Sequence, residues 1–276
     1  MILINGQPED RIAVGDRGLQ YGDGLFETIA YRNQTLEWVD AHLQRLERGC
    51  QRLNLPLQDV DLTQIQADLK QVTADLTDNA VIKVIITRGV GGRGYQYAEN
   101  VEVTRIVSSH PFPIYPESHQ SGVTVRLCEQ RLAINPQLAG IKHLNRLEQV
   151  LARNEWRDPT IAEGLMLNTA GELIEGTMSN ILLVQKGQLF TPDLSECGIR
   201  GTMRQNIINV ALSHGISVKE CKLSLDDLLH ADEVFLCNSV IGIWPVTKII
   251  GIDKTWIHGL VTQKLQHWLS QAIMHP

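Results

Sequence analysis

The sequence predicts an α+β fold, and three observations carry that prediction. Strand-like and helix-like segments are mixed without the steady βαβ repeat of a doubly wound sheet. Three prolines fall within six residues, Pro111, Pro113 and Pro116, a run that can continue neither a helix nor a central strand. The chain is 276 residues long and 43% hydrophobic, enough for two separate cores. The expected organisation is a small N-terminal α/β domain over 1–109, a proline-rich linker over 110–120 and a larger C-terminal domain over 121–276.

Element by element, the opening Met1 to Gly6 reads as a strand entering a turn. Asp40 is the expected N-cap of a helix carrying Leu43, Leu46, Cys50 and Leu53 on one face and ended by Pro56. Asp61 to Leu76 is expected as a second helix, and the β-branched runs Ala80 to Thr87 and Val101 to Ser108 as strands. Beyond the prolines, strands near Gly122 to Leu127, Gly164 to Leu167, Ile181 to Val184 and Glu233 to Cys237 are expected. They alternate with helices near Arg146 to Arg157, Thr202 to His214 and Ile257 to Ala272.

Composition excludes several functions. A net charge of −6 gives no footprint for nucleic acid. The longest apolar runs are too short to cross a bilayer, and the opening residues lack the basic region and cleavage site of a signal peptide. Five scattered cysteines without a C-x-x-C pair suit reduced thiols, so a cytoplasmic location is expected. No histidine or cysteine grouping suggests a metal, and no G-x-S-x-G elbow suggests a serine hydrolase.

Three features point to chemistry instead. Lys142 lies among Ala139, Gly140 and Ile141, small or apolar neighbours that would partly desolvate its amine and favour Schiff-base formation. Glu175 follows an expected hairpin turned at Ala170-Gly171; a carboxylate there could hold a pyridinium nitrogen. Gly198-Ile199-Arg200-Gly201-Thr202-Met203 opens an amphipathic helix, whose free N–H groups would suit an anion such as phosphate. Arg45 could add a cation, or could belong with Arg48 and Arg52 to a solvated basic face. The run Arg88-Gly89-Val90-Gly91-Gly92-Arg93-Gly94-Tyr95 lacks the G-K-[ST] of a nucleotide loop. It reads as a mobile loop or as a carboxylate grip built from Arg88 and Arg93.

These residues resemble the class IV aminotransferase-like, fold-type IV pyridoxal phosphate enzymes, nearly end to end. The resemblance begins with Leu3-Ile4-Asn5-Gly6, Asp16-Arg17-Gly18 and Gln20 to Glu27. Arg88 to Tyr95 and Ala139 to Val150 turn it toward the lyase branch of that family. The resemblance implies a large domain with a barrel-like sheet, pyridoxal 5'-phosphate as cofactor and a homodimer. It implies conversion of 4-amino-4-deoxychorismate to 4-aminobenzoate and pyruvate, a step of folate biosynthesis. Branched-chain or D-amino acid transamination is the alternative; a non-catalytic binding module on the same scaffold is a third.

Position by position, Lys142 would be the Schiff-base lysine and Glu175 the partner of the ring nitrogen, supported by Asn180. Arg45, the amides of Thr202 and Met203, and the hydroxyl of Ser239 would hold the phosphate. Arg93 and Tyr95 match an arginine and a histidine of the carboxylate trap in D-amino acid aminotransferases, and they join Arg88 as candidate substrate-binding residues. Phe26 stands where that trap has a tyrosine.

Overall fold

The structure, a computed structural model, describes residues 1–57, 59–98 and 101–274, and falls into two compact units. The first is Met1–Ile114 together with Ile141–Asn145; the second is Tyr115–Gly140 together with Arg146–Pro276. The division near residue 114 lies inside the expected linker, but the five residues around Lys142 belong to the first unit.

In chain order, the first unit contains strands β1 (Ile2–Ile4) and β2 (Gln7–Pro8), helix α1 (Arg17–Tyr21), and strands β3 (Gly24–Arg32) and β4 (Thr35–Leu36). Helices α2 (Val39–Leu53) and α3 (Asp59–Thr73) and strands β5 (Ala80–Thr87) and β6 (Thr104–Pro111) follow. The six strands form one antiparallel sheet in the order β2-β1-β6-β5-β3-β4. Alternation decides which face is covered. Leu25, Glu27 and Ile29 pair with Ile86, Val84 and Ile82, and all six are buried. Helix α2 packs Leu43, Leu46 and Cys50 on its buried side, and Gly49 brings it close, since a Cβ there would stand 2.8 Å from Leu25 Cδ1. The opposite face, with Phe26, Thr28, Lys83 and Ile85, is half-buried.

Two expectations need correction. Asp40 does not cap α2: the helix begins at Val39 after Trp38, and Asp40 lies in its first turn, where its charge faces the positive end of the helix dipole. The proline run does not break the chain at residue 110, because β6 continues to Pro111. There it pairs with β5 alone, β1 having stopped at Ser108, and a proline is tolerated where a ladder ends.

The second unit contains strand β7 (Val123–Leu127), helix α4 (Leu147–Arg153), and strands β8 (Ile161–Leu167), β9 (Leu173–Gly176), β10 (Asn180–Gln185) and β11 (Gln188–Pro192). Helix α5 (Thr202–Ser213), strand β12 (Val218–Cys221), helix α6 (Leu225–His230), strands β13 (Glu233–Asn238) and β14 (Gly242–Ile250), and helix α7 (Leu260–Met274) complete it. Strands run β12-β11-β10-β13-β14-β7-β8-β9, and β9 pairs back onto β10. Six strands thus close into a barrel, with β11 and β12 as an extension. The barrel is filled by Val125, Leu165, Ile181, Leu183, Val234, Leu236, Trp244 and Val246, among others. Closure rests on the single pair Glu175↔Asn180, beyond which β11 takes over the same edge of β10.

Of the five free cysteines, four are buried. Among the described residues no helix is long and apolar enough to cross a membrane.

Candidate active site

In the first unit, β4 pairs only with the far end of β3, leaving the start of β3 with an open edge. The segment Ile141–Asn145 occupies it. Phe26 N–H donates to the Lys142 carbonyl at 3.0 Å, and Leu144 N–H to the Gly24 carbonyl at 2.9 Å. Glycine is required at 24, where a Cβ would lie 2.4 Å from the Ile86 carbonyl oxygen. The half-buried Lys142 thereby hangs its amine over the Phe26 ring, 4.3 Å from the centroid.

On the covered face lies a charged cluster. Glu27 accepts from Arg45 Nε at 2.8 Å and Nη2 at 2.5 Å, and from His42 Nδ1 at 2.6 Å. Burial alone would raise the Glu27 carboxyl, but the Arg45 charge and the hydrogen bonds from Arg45 and His42 outweigh it and hold it down to about 2. Burial, with Arg45 and Lys142 nearby, pushes His42 down despite the pull of Glu27. His42 is therefore neutral at neutral pH, with the proton on Nδ1, because an ionised carboxylate only accepts. Arg45 is a buried member of this cluster and not part of a solvated basic face.

The glycine-rich loop corrects two readings. Arg88 does not grip a substrate: its Nε and Nη2 donate to Asp23, and its Nη1 and Nη2 to the carbonyls of Asn54 and Leu53. It is buried, and a guanidinium so engaged would have to surrender those bonds to take an anion. Nor is the loop a free-swinging one. Arg17 Nη1 donates to the carbonyls of Gly91 and Gly94, and its Nη2 to that of Tyr95, at 2.9 to 3.3 Å. Arg93 and Tyr95 ride on this anchored loop, both exposed, and Tyr95 meets Tyr21 edge to face at 5.7 Å.

In the second unit, Glu175 owes its direction to a bulge. Leu167 pairs with Leu173, but Met166 pairs with Glu175, so the register skips Ile174. A bulge of this kind re-aims the next side chain. Glu175 then faces the same way as Asn180, and the two hold the backbone on either side of the Ile199 Cα. Ile199 N–H donates to Glu175 Oε2 at 2.8 Å, and Asn180 Nδ2 donates to the Ile199 carbonyl at 2.8 Å. Gln149 Nε2 reaches Glu175 Oε1 at 3.4 Å, leaving Gln149 Oε1 buried without a partner. Burial lowers Arg146, and the Glu175 charge partly restores it.

The clip fixes the approach to α5, which starts after Gly201 with no side-chain cap. A Cβ at Gly201 would fall 2.0 Å from Asn180 Oδ1, so only glycine fits. Thr202 and Met203 are the first helical residues, at the positive end of the helix dipole. Ser239 occupies the turn between β13 and β14, after Asn238, whose Nδ2 donates to the Met178 carbonyl.

The sequence reading missed three supporting residues. His42 and Glu27 are two; the third is Glu163, buried in β8. It accepts from Thr177 N–H and Oγ1, Met178 N–H and Ser179 Oγ, and so shapes the turn joining Glu175 to Asn180. Its one sequence signal is a lone charge in an otherwise apolar strand.

Within the first unit, a primary amine lying on an aromatic ring could take the aldehyde of pyridoxal phosphate. Within the second, a buried carboxylate held in one orientation and a glycine-led helix start suit a ring nitrogen and a phosphate.

Residues 24–249 match the family model for Amino-transferase class IV. The chain is 40% identical to an aminodeoxychorismate lyase of Vibrio harveyi, over 96% of this chain and 98% of that one. It is 28% identical to a D-alanine aminotransferase of Bacillus licheniformis, over 99% and 97%. The crystal structure of a 4-amino-4-deoxychorismate lyase from Pseudomonas aeruginosa superposes with a TM-score of 0.93 at 47% identity, covering 98% of each chain. An Escherichia coli branched-chain amino acid aminotransferase follows with a TM-score of 0.85 at 25% identity, over 99% of this chain and 94% of that one.

Proposed function

Since the chain belongs to the class IV aminotransferase family, we propose that it is a pyridoxal phosphate-dependent lyase that converts 4-amino-4-deoxychorismate to 4-aminobenzoate and pyruvate. The observation that carries the choice within the family is the gap in similarity: 40% and 47% identity to two lyases against 30%, 28% and 25% to three aminotransferases, all over nearly full length.

In this reading Lys142 holds the cofactor at its aldehyde carbon. Glu175, kept in place by Ile199 N–H and flanked by Asn180, keeps the ring nitrogen protonated. Arg45, the Thr202 and Met203 amides and Ser239 hold the phosphate. When bound, the cofactor supplies an electron sink for bonds broken beside the substrate nitrogen. With its amine free, Lys142 Nζ would remove the proton from the ring carbon bearing the substrate nitrogen. The enolpyruvyl group then leaves from the neighbouring carbon, and the gain of aromaticity drives the reaction forward. Arg93 and Tyr95 are the substrate-side residues of the glycine-rich loop.

The test is direct: purified protein, loaded with cofactor and given 4-amino-4-deoxychorismate, releases 4-aminobenzoate and pyruvate in equal amounts. Transfer of amino groups from branched-chain or D-amino acids to 2-oxoglutarate, with no 4-aminobenzoate formed, would establish the aminotransferase alternative instead.

The protein works as a homodimer in the cytoplasm in this reading. In support of a dimer, α4 carries Leu147, Val150 and Leu151 at helical spacing, all exposed. Sedimentation of the holoenzyme as a monomer would refute it.

A further inference from the structure

The substrate of the proposed reaction carries two carboxylates, one on the ring and one on the enolpyruvyl group, and Arg88 is committed elsewhere. Another cation shares an aromatic ring with the Lys142 amine. Lys83 lies in the middle of β5 between the buried Ile82 and Val84, where a lysine is out of place in a central strand. It pairs with Thr28 on one side and Ser108 on the other, so its side chain points to the half-buried face of the sheet. Its ammonium lies 5.4 Å from the centroid of the Phe26 ring, the same ring that Lys142 contacts at 4.3 Å. Among the described residues the Lys83 ammonium makes no ion pair and no hydrogen bond, whereas Arg17 and Arg88 are both tied to Asp23.

We infer that Lys83 binds the enolpyruvyl carboxylate of the substrate, an assignment that rests on the lyase reading above. A half-buried ammonium without an anion leaves hydrogen-bonding capacity unused, and a carboxylate supplies charge-assisted bonds to it. Proximity selects which carboxylate. Lys142 acts at the nitrogen-bearing ring carbon, and the enolpyruvyl group is attached to the adjacent carbon. The ring carboxylate sits across the ring from that nitrogen. A cation sharing one phenyl ring with Lys142 serves the nearer group, and holds it as pyruvate departs.

The test compares two anions on holoenzyme. Chorismate carries both carboxylates and has a hydroxyl in place of the reactive amine; 4-aminobenzoate keeps only the ring carboxylate. Lys83→Met is expected to weaken chorismate binding about tenfold or more and 4-aminobenzoate binding by less than about twofold, with Lys83→Arg recovering most of the loss. An unchanged cofactor absorbance band shows that the variant is folded and loaded. Equal weakening of both anions, or of neither, overturns the assignment. If wild-type protein makes 4-aminobenzoate while Lys83→Met binds chorismate normally, only the Lys83 assignment falls. If wild-type protein neither binds chorismate nor makes 4-aminobenzoate, both readings fall.

Discussion

The Glu27 cluster of the first unit and the Glu175 cluster of the second each keep a carboxylate buried, by opposite means. Glu27 is held by side chains from a helix that point at a strand, the charge of Arg45 and a hydrogen bond from His42. Glu175 is held chiefly by backbone, the Ile199 N–H, with Asn180 closing on the carbonyl of the same residue. A side-chain network fails when one member is removed, because the others remain buried and unpaired. A backbone clip tolerates changes of side chain but not of chain path. The first cluster should therefore be fragile to charge changes, and the second to the loss of glycine.

The largest effect sharpens the comparison by removing the reactive group alone. Lys142→Ala should lower lyase turnover by about 10⁴-fold and abolish the cofactor absorbance band, while thermal unfolding changes little. Next, Glu27→Leu should destabilise the protein by about 3–5 kcal/mol in denaturant unfolding, because it strands Arg45 beneath the sheet. The same carboxylate sets an acid limit. Its folded value of about 2 lies below the ordinary 4.5, so its contribution is complete above pH 4.5 and is lost as pH falls toward 2. The stability advantage of wild type over Glu27→Gln should shrink across that window.

In the second cluster, Gly201→Ala should weaken cofactor affinity about tenfold, since its Cβ must displace Asn180 or the start of α5. Equilibrium titration of apoprotein with cofactor measures this. The smallest effect is the most discriminating. Ile199→Ala removes a half-buried side chain but keeps the clipped backbone, so cofactor affinity should change by less than about twofold. A loss as large as that of Gly201→Ala would show that the clip depends on side-chain packing, and would erase the contrast drawn above.

How much of this the sequence revealed follows the same line. Strands such as Ala80–Thr87 and helices such as Thr202–Ser213 were legible because hydrophobic period and turn residues are local signals. Lys142 and Glu175 were singled out by the motifs around them. What could not be read was the set of partners. Arg88 looked free because nothing in its neighbourhood reveals Asp23 or the carbonyls of Leu53 and Asn54, which only the fold delivers. His42 and Glu163 were passed over for the same reason, each being an ordinary polar residue until the fold supplies its partner. The placement of Ile141–Asn145 in the first unit was hidden too, since a five-residue excursion leaves no mark in composition.

The barrel seam has one more implication. A ring of strands latched by the single rung between Glu175 and Asn180 is weakest at the residues assigned to the cofactor. Occupancy and ring integrity are then one equilibrium: whatever engages that glutamate also fastens the last rung, and an empty protein should breathe there first. Amide hydrogen exchange along β9 should slow selectively when apoprotein is loaded, which would make vitamin supply a direct control on how long the chain survives proteolysis.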